Sequence, residues 1–279
     1  MTAISIDGKQ QAAAIKQQLK SKISVLARAP ILAVIWVGDD AASSIYIRAK
    51  EKACQEVGIK AHTFHLDANI SQAELQELII ELNQDAEING ILVQLPLPPQ
   101  IDEAAILATI SPHKDVDGFH PLNAGRLLQK SAATFIPCTP KGIMALIRSV
   151  CSELRGQNAV VVGRSNIVGL PTAELLLQQD CTVTVAHSKS KDLAAICRAA
   201  DILVVAVGKA GLIKREHIKP GAIIIDVGIN RTENGIEGDV DYAAAMACAG
   251  YITPVPGGVG PMTIAMLLEN TYEAFLNQQ

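Results

Sequence analysis

Residues 158–171 read Asn158, Ala159, Val160, Val161, Val162, Gly163, Arg164, Ser165, Asn166, Ile167, Val168, Gly169, Leu170 and Pro171. The apolar run is a strand, Gly163 opens a tight turn, and the residues beyond Gly169 carry a helical pattern. Such a turn lets backbone N–H groups and the N-terminus of the next helix face a pyrophosphate, where the helix dipole favours negative charge. Pro171 suits a first helical turn. The match to the usual glycine spacing is partial, since Ser165 stands for the second glycine and Val168 for the third, with Gly169 one place later. Context must supply the rest.

Three further apolar runs follow: Thr182–Ala186, Ile202–Val207 and Ala222–Val227. Runs of this kind, separated by helical or shorter connections, are what a parallel sheet covered on both faces requires. A doubly wound sheet that holds no nucleotide would read the same way, and that alternative stays open. A site for NAD usually carries an acid about 20 residues past the glycines, on the ribose 2′-hydroxyl. Here the second strand ends in His187, Ser188, Lys189, Ser190 and Lys191, with Arg164 inside the turn. A 2′-phosphate needs donors and positive charge, so NADP is the better fit. The competing reading makes Lys189 and Lys191 a solvated helix start.

The chain has 279 residues, roughly two domains by the usual size range, and its 49% hydrophobic content suffices for two cores. A net charge of −4 offers no basic stripe for nucleic acid. The sequence shows neither a secretory leader pattern nor an apolar window of membrane-spanning length, so a cytoplasmic protein is expected. Cys54, Cys138, Cys151, Cys181, Cys197 and Cys248 form no CxxC pair and have no histidine at zinc-ligand spacing, so they read as free thiols and no metal site is expected.

The first half alternates too. Ile31–Val37 reads as a buried strand, Ser44–Val57 as a helix, Ala61–Leu66 as a strand, Gln72–Leu82 as a helix and Gly90–Leu95 as a strand, which together predict a three-layer α/β unit. Thr139 and Pro140 then suit the cap and first position of a helix reaching Val150, where the inter-domain connection is placed. On a wheel of the Ser44–Val57 helix with Tyr46 at zero, Ile47, Ala49, Ala53, Cys54 and Val57 form an apolar arc, and Lys50 falls inside it at about 40°. A lysine among apolar neighbours is costly unless its ammonium finds a partner or a cleft, and desolvation favours the neutral amine useful in proton transfer. Snorkelling of the head to water is the equal alternative.

Three segments carry polar groups where apolar ones are expected. Gly90–Pro98 puts Gln94 at the carboxyl end of a strand, Pro112–His120 holds Asp115 and Asp117 beside Gly118, and Ile252–Thr263 is a glycine- and proline-rich loop entering a final helix. Singly, these could be a strand cap, Asx turns and a chain reversal.

Together, the runs Val37–Asp39, Ser43–Lys50, Gly90–Pro98, Lys114–Gly118, Pro137–Gly142, Gly163–Pro171 and Pro256–Thr263 resemble, over nearly the whole chain, the bifunctional methylenetetrahydrofolate dehydrogenase/methenyltetrahydrofolate cyclohydrolase family. The resemblance implies an α/β protein of two three-layer domains with a cleft between them, the second domain a Rossmann-like parallel sheet. A folate-binding catalytic domain of residues 1–138 plus 262–279 and an NADP-binding domain of 139–261 are the implied boundaries. Tetrahydrofolate derivatives are the implied substrates, NADP the cofactor and a homodimer the assembly. Lys50, Gln94 and Tyr46 match the catalytic positions. Tyr46 also matches a residue that packs on the folate ring, Asp117 one that hydrogen-bonds the pterin, and Pro256, Gly257 and Gly258 a loop beside the substrate. Gly163, Arg164, Ser165, Ile167, Val168, Gly169, Ser188 and Ile229 match cofactor contacts, with Arg164 in the form seen in NADP-using members. Against this stand a dehydrogenase of the same fold for another small substrate, such as a keto acid, and a nucleotide-sensing module without turnover.

Overall fold

The computed structural model describes residues 2–131, 135–233 and 235–279, and the side chains of all of these except 41–43. In chain order the elements begin with β1 (Ile4–Ser5), α1 (Gly8–Ile23), β2 (Ile31–Val37), α2 (Ala41–Val57), β3 (Lys60–Leu66), α3 (Gln72–Gln84), β4 (Gly90–Val93), α4 (Glu103–Thr109), α5 (Pro121–Leu128) and α6 (Cys138–Val150). They continue with β5 (Asn158–Val162), α7 (Gly169–Leu177), β6 (Thr182–Ala186), α8 (Leu193–Arg198), β7 (Ile202–Val205) and β8 (Ile223–Asp226). The last are β9 (Asn230–Thr232), β10 (Gly235–Glu237), α9 (Tyr242–Met246), β11 (Tyr251–Ile252) and α10 (Val259–Asn277). Two compact units result, one of Met1–Ala12 with Thr139–Thr263 and one of Ala13–Cys138 with Ile264–Gln279.

The second of these units is built on a parallel sheet in the order β3-β2-β4. Its central strand is apolar throughout because it is covered on both faces; Leu32, Ala33, Val34 and Ile35 have no exposed surface at all. Leu75, Ile79 and Leu82 of α3 and Ile106 of α4 pack on one side of it with Ile91 and Val93. Helix α3 starts where Ser71 and Glu74 form a reciprocal capping box, satisfying two amides that the helix leaves without partners. Strand β4 stops at Val93, two residues short of the sequence expectation. Gln94 still donates its backbone N–H to Ile35 O at 2.8 Å, but Leu95 and Pro96 continue outside the ladder.

The other unit carries six strands in the order β1-β11-β8-β7-β5-β6, all paired in parallel. Its strands are short, and those of the centre, β7 and β8, are buried along their whole length. The first residues of the chain belong here and not with the strands that follow them in sequence. Ala3, Ile4 and Ile6 donate backbone hydrogen bonds to Met246, Gly250 and Ile252, and Ala3 and Ile6 are buried. Two apolar side chains and an edge ladder therefore bring β1 to the far end of the sheet. Helix α10 begins at Val259, inside the segment Ile252–Thr263 that the sequence reads as a loop. Among the described residues no helix is long and apolar enough to cross a membrane.

Candidate active site

Lys50 occupies the third turn of α2. The residues this helix buries are Ile47, Ala53, Cys54 and Val57, while Ala49 is exposed and Tyr46 is 36% exposed. The apolar arc of the wheel is thus centred on Lys50 itself, and Tyr46 lies on its solvent flank. The ammonium does not simply escape to water. Nζ donates to Gln94 Oε1 at 3.0 Å, and Gln94 Nε2 donates in turn to Leu95 O at 2.7 Å. That second bond fixes which end of the amide faces the lysine: with its NH2 engaged by the main chain, the oxygen is the atom left to accept from Nζ.

The third member comes from the loop 114–118, where alternate residues do different work. Lys114 is buried and donates to Leu82 O and Asp85 O at 3.0 and 2.6 Å, closing the C-terminal end of α3. Burial holds its pKa below the ordinary lysine value, opposed by Asp85. Asp115 is also buried and accepts from Phe119 N, His120 N and Asn123 Nδ2, so it is the backbone-binding acid of the pair. Asp117 has other neighbours: the Lys50 charge acts on its carboxyl and the Cys138 thiol hydrogen-bonds it. Burial pushes its carboxyl up, and Asp115 adds to that; the Lys50 charge and the Cys138 thiol pull it down. The loop is braced by Asn270 of α10, wholly buried, whose Nδ2 donates to Val116 O at 2.8 Å and Ile136 O at 3.0 Å. Lys50, Gln94 and Asp117 are therefore brought together, from a helix, a strand end and a loop of one unit.

In the six-stranded unit the turn after β5 tests whether a dinucleotide fits. Gly163 has φ +125°, and a Cβ there would collide with Ala206 O; a Cβ on Gly169 would collide with Gly163 O. Main chain approaches main chain at both ends of the turn, leaving Arg164, Ser165 and Asn166 exposed and Ile167 and Val168 half-buried. Ser165 Oγ accepts from Val168 N and Gly169 N, both at 3.2 Å, at the start of α7. Gly163 N donates to Ala186 O, which places exposed Ser188 beside this turn at the end of the neighbouring strand. Lys189 and Lys191 lie in a turn ahead of α8, whose cap is Asp192 and whose first residue is Leu193, so they do not form a helix start. Ile229, 48% exposed, follows β8 at the same carboxyl edge, two strands from β5. Exposed donors beside a close-packed glycine turn, with a helix N-terminus behind it, are what a phosphorylated dinucleotide needs.

Gly257 and Gly258 are buried and Pro256 is exposed in the loop between β11 and α10. Lys9 N donates to Gly257 O, tying the start of α1 to this loop. The residues that sequence reasoning misses are polar ones set in apolar context: Asn270 within α10, and Asp226 and Asp239, both buried in the six-stranded unit. An acid ending an apolar strand and an amide inside an apolar helix are the signals that would have found them. Ser43 falls among the residues whose side chains are not described.

The constellation can be set beside known proteins. Residues 6–117 match the tetrahydrofolate dehydrogenase/cyclohydrolase catalytic domain, and residues 137–279 match the NAD(P)-binding domain of the same family. The bifunctional protein FolD of Geobacillus thermodenitrificans is 54% identical over 278 residues, 98% of each chain. The solved FolD dehydrogenase/cyclohydrolase of Campylobacter jejuni superposes with a TM-score of 0.97 at 49% identity, over 99% of this chain and all of that one (100%). The Trypanosoma brucei dehydrogenase-cyclohydrolase, solved with NADP and an inhibitor, gives 0.95 at 41% identity, covering 99% of this chain and 98% of that one. With both domain models matched in order and relatives alike along nearly the full length, the chain belongs to the tetrahydrofolate dehydrogenase/cyclohydrolase family.

Proposed function

We propose that this chain oxidises 5,10-methylenetetrahydrofolate with NADP and hydrolyses the resulting 5,10-methenyl cation to 10-formyltetrahydrofolate. The observation that carries the reading is the bond from Lys50 Nζ to Gln94 Oε1 with Asp117 within electrostatic reach. NADP, when bound, would supply the acceptor for the hydride of the one-carbon bridge. For that step the chain's residues only have to hold two rings in register, since no protein acid or base is needed. Gly163, Ser165, Ile167, Val168 and Gly169 form the cradle for the pyrophosphate, Arg164 and Ser188 supply donors to the 2′-phosphate, and Ile229 packs at the opposite end.

Hydrolysis asks more of side chains. Water adds to the methenyl carbon, the bond from that carbon to N5 breaks, and one proton is released overall. Lys50 Nζ, as the neutral amine, is the group that takes a proton from the attacking water, and as the resulting ammonium it returns one to the departing nitrogen. Gln94 holds that amine in place through its oxygen. Tyr46, one helical turn away and partly exposed, packs against the folate ring, and Asp117 accepts from the planar amino-pyrimidine in the paired manner carboxylates favour. Pro256, Gly257 and Gly258 offer a side-chain-poor surface to the substrate. The family reading also supports a cytoplasmic location and a homodimer, the latter checked by light scattering of the purified protein.

The test is direct. Purified protein given NADP⁺ and methylenetetrahydrofolate should generate methenyl absorbance, and methenyltetrahydrofolate given alone should lose that absorbance faster than in buffer. A preparation that binds NADP but does neither would overturn the assignment.

A further inference from the structure

Two buried acids outside the groups just described hold together the loops that follow β7, β8 and β10. Asp239 receives three consecutive backbone amides, Val207 N at 2.7 Å, Gly208 N at 3.0 Å and Lys209 N at 2.7 Å, and also Asn230 Nδ2 at 2.9 Å. Asp226, the last residue of β8, accepts from Gly228 N at 3.0 Å and from Asp239 N and Val240 N at 2.9 Å each. Its own backbone N–H donates to Thr253 Oγ1 at 2.8 Å, just past β11. Both carboxylates are buried, at 3% and 0% exposure. Chain geometry is shaped around them: a Cβ on Gly228 would collide with Asp239, and one on Gly238 with Asp226.

Stability alone does not account for the pair. Two carboxylates in one interior cost desolvation that amide donors offset only in part, and well-packed apolar groups serve stability better. What the pair delivers is position. Strand order shows where that position matters. With Ser188 and Arg164 at β6 and β5 on the 2′-phosphate, the rest of a dinucleotide has to run from the β5 turn across β7 to β8. The loops reached there are Val207–Lys209 and Gly228–Asn230, and each presents a partly exposed apolar side chain, Val207 at 37% and Ile229 at 48%.

We infer that Asp239, anchored by Asp226, is a positioning residue for hydride transfer: it holds the loops after β7 and β8 where the nicotinamide end of the cofactor lies. The inference rests on the function proposed above, and its test separates the two. In the full chain, Asp239→Asn turns an amide NH2 toward backbone donors, so calorimetric titration should show the NADP dissociation constant raised about tenfold or more. Dehydrogenase kcat should fall with it. Hydrolysis of methenyltetrahydrofolate without nucleotide, whose proton-moving side chains Lys50 and Gln94 lie in the other unit, should change less than about twofold, which a globally unfolded variant could not achieve. Asn230→Ala, which deletes one of the four bonds to Asp239, should show the same split more weakly and keeps the test alive if Asp239→Asn does not fold. NADP affinity and dehydrogenase kcat left at wild-type values in a folded variant, or equal loss of both activities at unchanged melting temperature, would overturn the inference. If the wild-type chain lacks both activities, the proposed function fails and hydride transfer with it, while the NADP titration still decides whether Asp239 holds these loops for the nucleotide.

Discussion

In the three-stranded unit the groups assembled at the site are side chains: an ammonium, an amide and a carboxyl from α2, the end of β4 and the loop 114–118. In the six-stranded unit the corresponding edge is made of main chain, where Gly163 and Gly169 remove side chains so that backbone can approach backbone. Both units are parallel α/β sheets, and both set their groups just past strand ends, where open sheets of this kind receive ligands. The difference lies in the task. A proton must be moved by a group that can carry one, whereas a phosphate is held well by amides that never titrate. Even the acids divide along this line, since Asp115, Asp226 and Asp239 accept from amides while Asp117 is met by the Cys138 thiol and the Lys50 charge.

The sharpest way to break this contrast is Lys50→Met. On the proposed roles it lowers methenyl hydrolysis about 10²–10⁴-fold, the usual worth of a positioned acid–base group, with NADP affinity nearly unchanged by calorimetry. Unchanged hydrolysis would move the chemistry off the side-chain unit. Gly169→Ala is the mirror experiment: its new methyl meets Gly163 O, so NADP should bind at least about tenfold more weakly, by roughly 1–3 kcal/mol of overpacking strain, while hydrolysis survives. A variant that binds NADP normally would show that the turn can yield without loss.

The smallest effect concerns charge and stability in the six-stranded unit. Asp201 is held below its ordinary pKa of 3.8 by hydrogen bonds from Lys219 and from Asn158 N. Its folded form therefore prefers the carboxylate, and its contribution is present above that ordinary value and lost as pH falls through the lower, folded one. Asp226 behaves oppositely. Burial pushes it from 3.8 up to about 6, so its contribution is complete below 3.8 and lost as pH rises through about 6. Thermal melts of Asp201→Asn should show less than about 1 kcal/mol lost at pH 7, the range expected of a half-exposed pair, and a difference that shrinks as pH falls below 3.8. Asp226→Asn should remove the extra stability that the wild-type chain gains between pH 7 and 5. A flat profile for both would mean that the acids of this unit do not differ after all.

Much of this was legible in the chain. The strand before Gly163 and its three successors read as a parallel sheet because buried strands need unbroken apolar runs, and Lys50 stood out because a charge in an apolar arc needs a reason. Other features had no local signal. The pairing of Ile4 with Tyr251 spans nearly the whole chain, and two residues carry no periodicity. Asp115 and Asp117 are chemically identical two places apart, and only the path of the loop decides which one meets amides. The wheel of α2 found the right stripe but centred it on Tyr46, because a wheel gives angles and not the direction of the core. Asp239 finds its donors about thirty residues upstream, a distance at which sequence pattern is silent.

Three successive amides converging on a carboxylate also make a ring of donors that could otherwise accept a phosphate. Here the ring is filled by the protein's own anion, the Asp239 carboxylate. Those three amides are thereby spent inside the protein, whereas the turn after β5 keeps Arg164, Ser165 and Asn166 exposed.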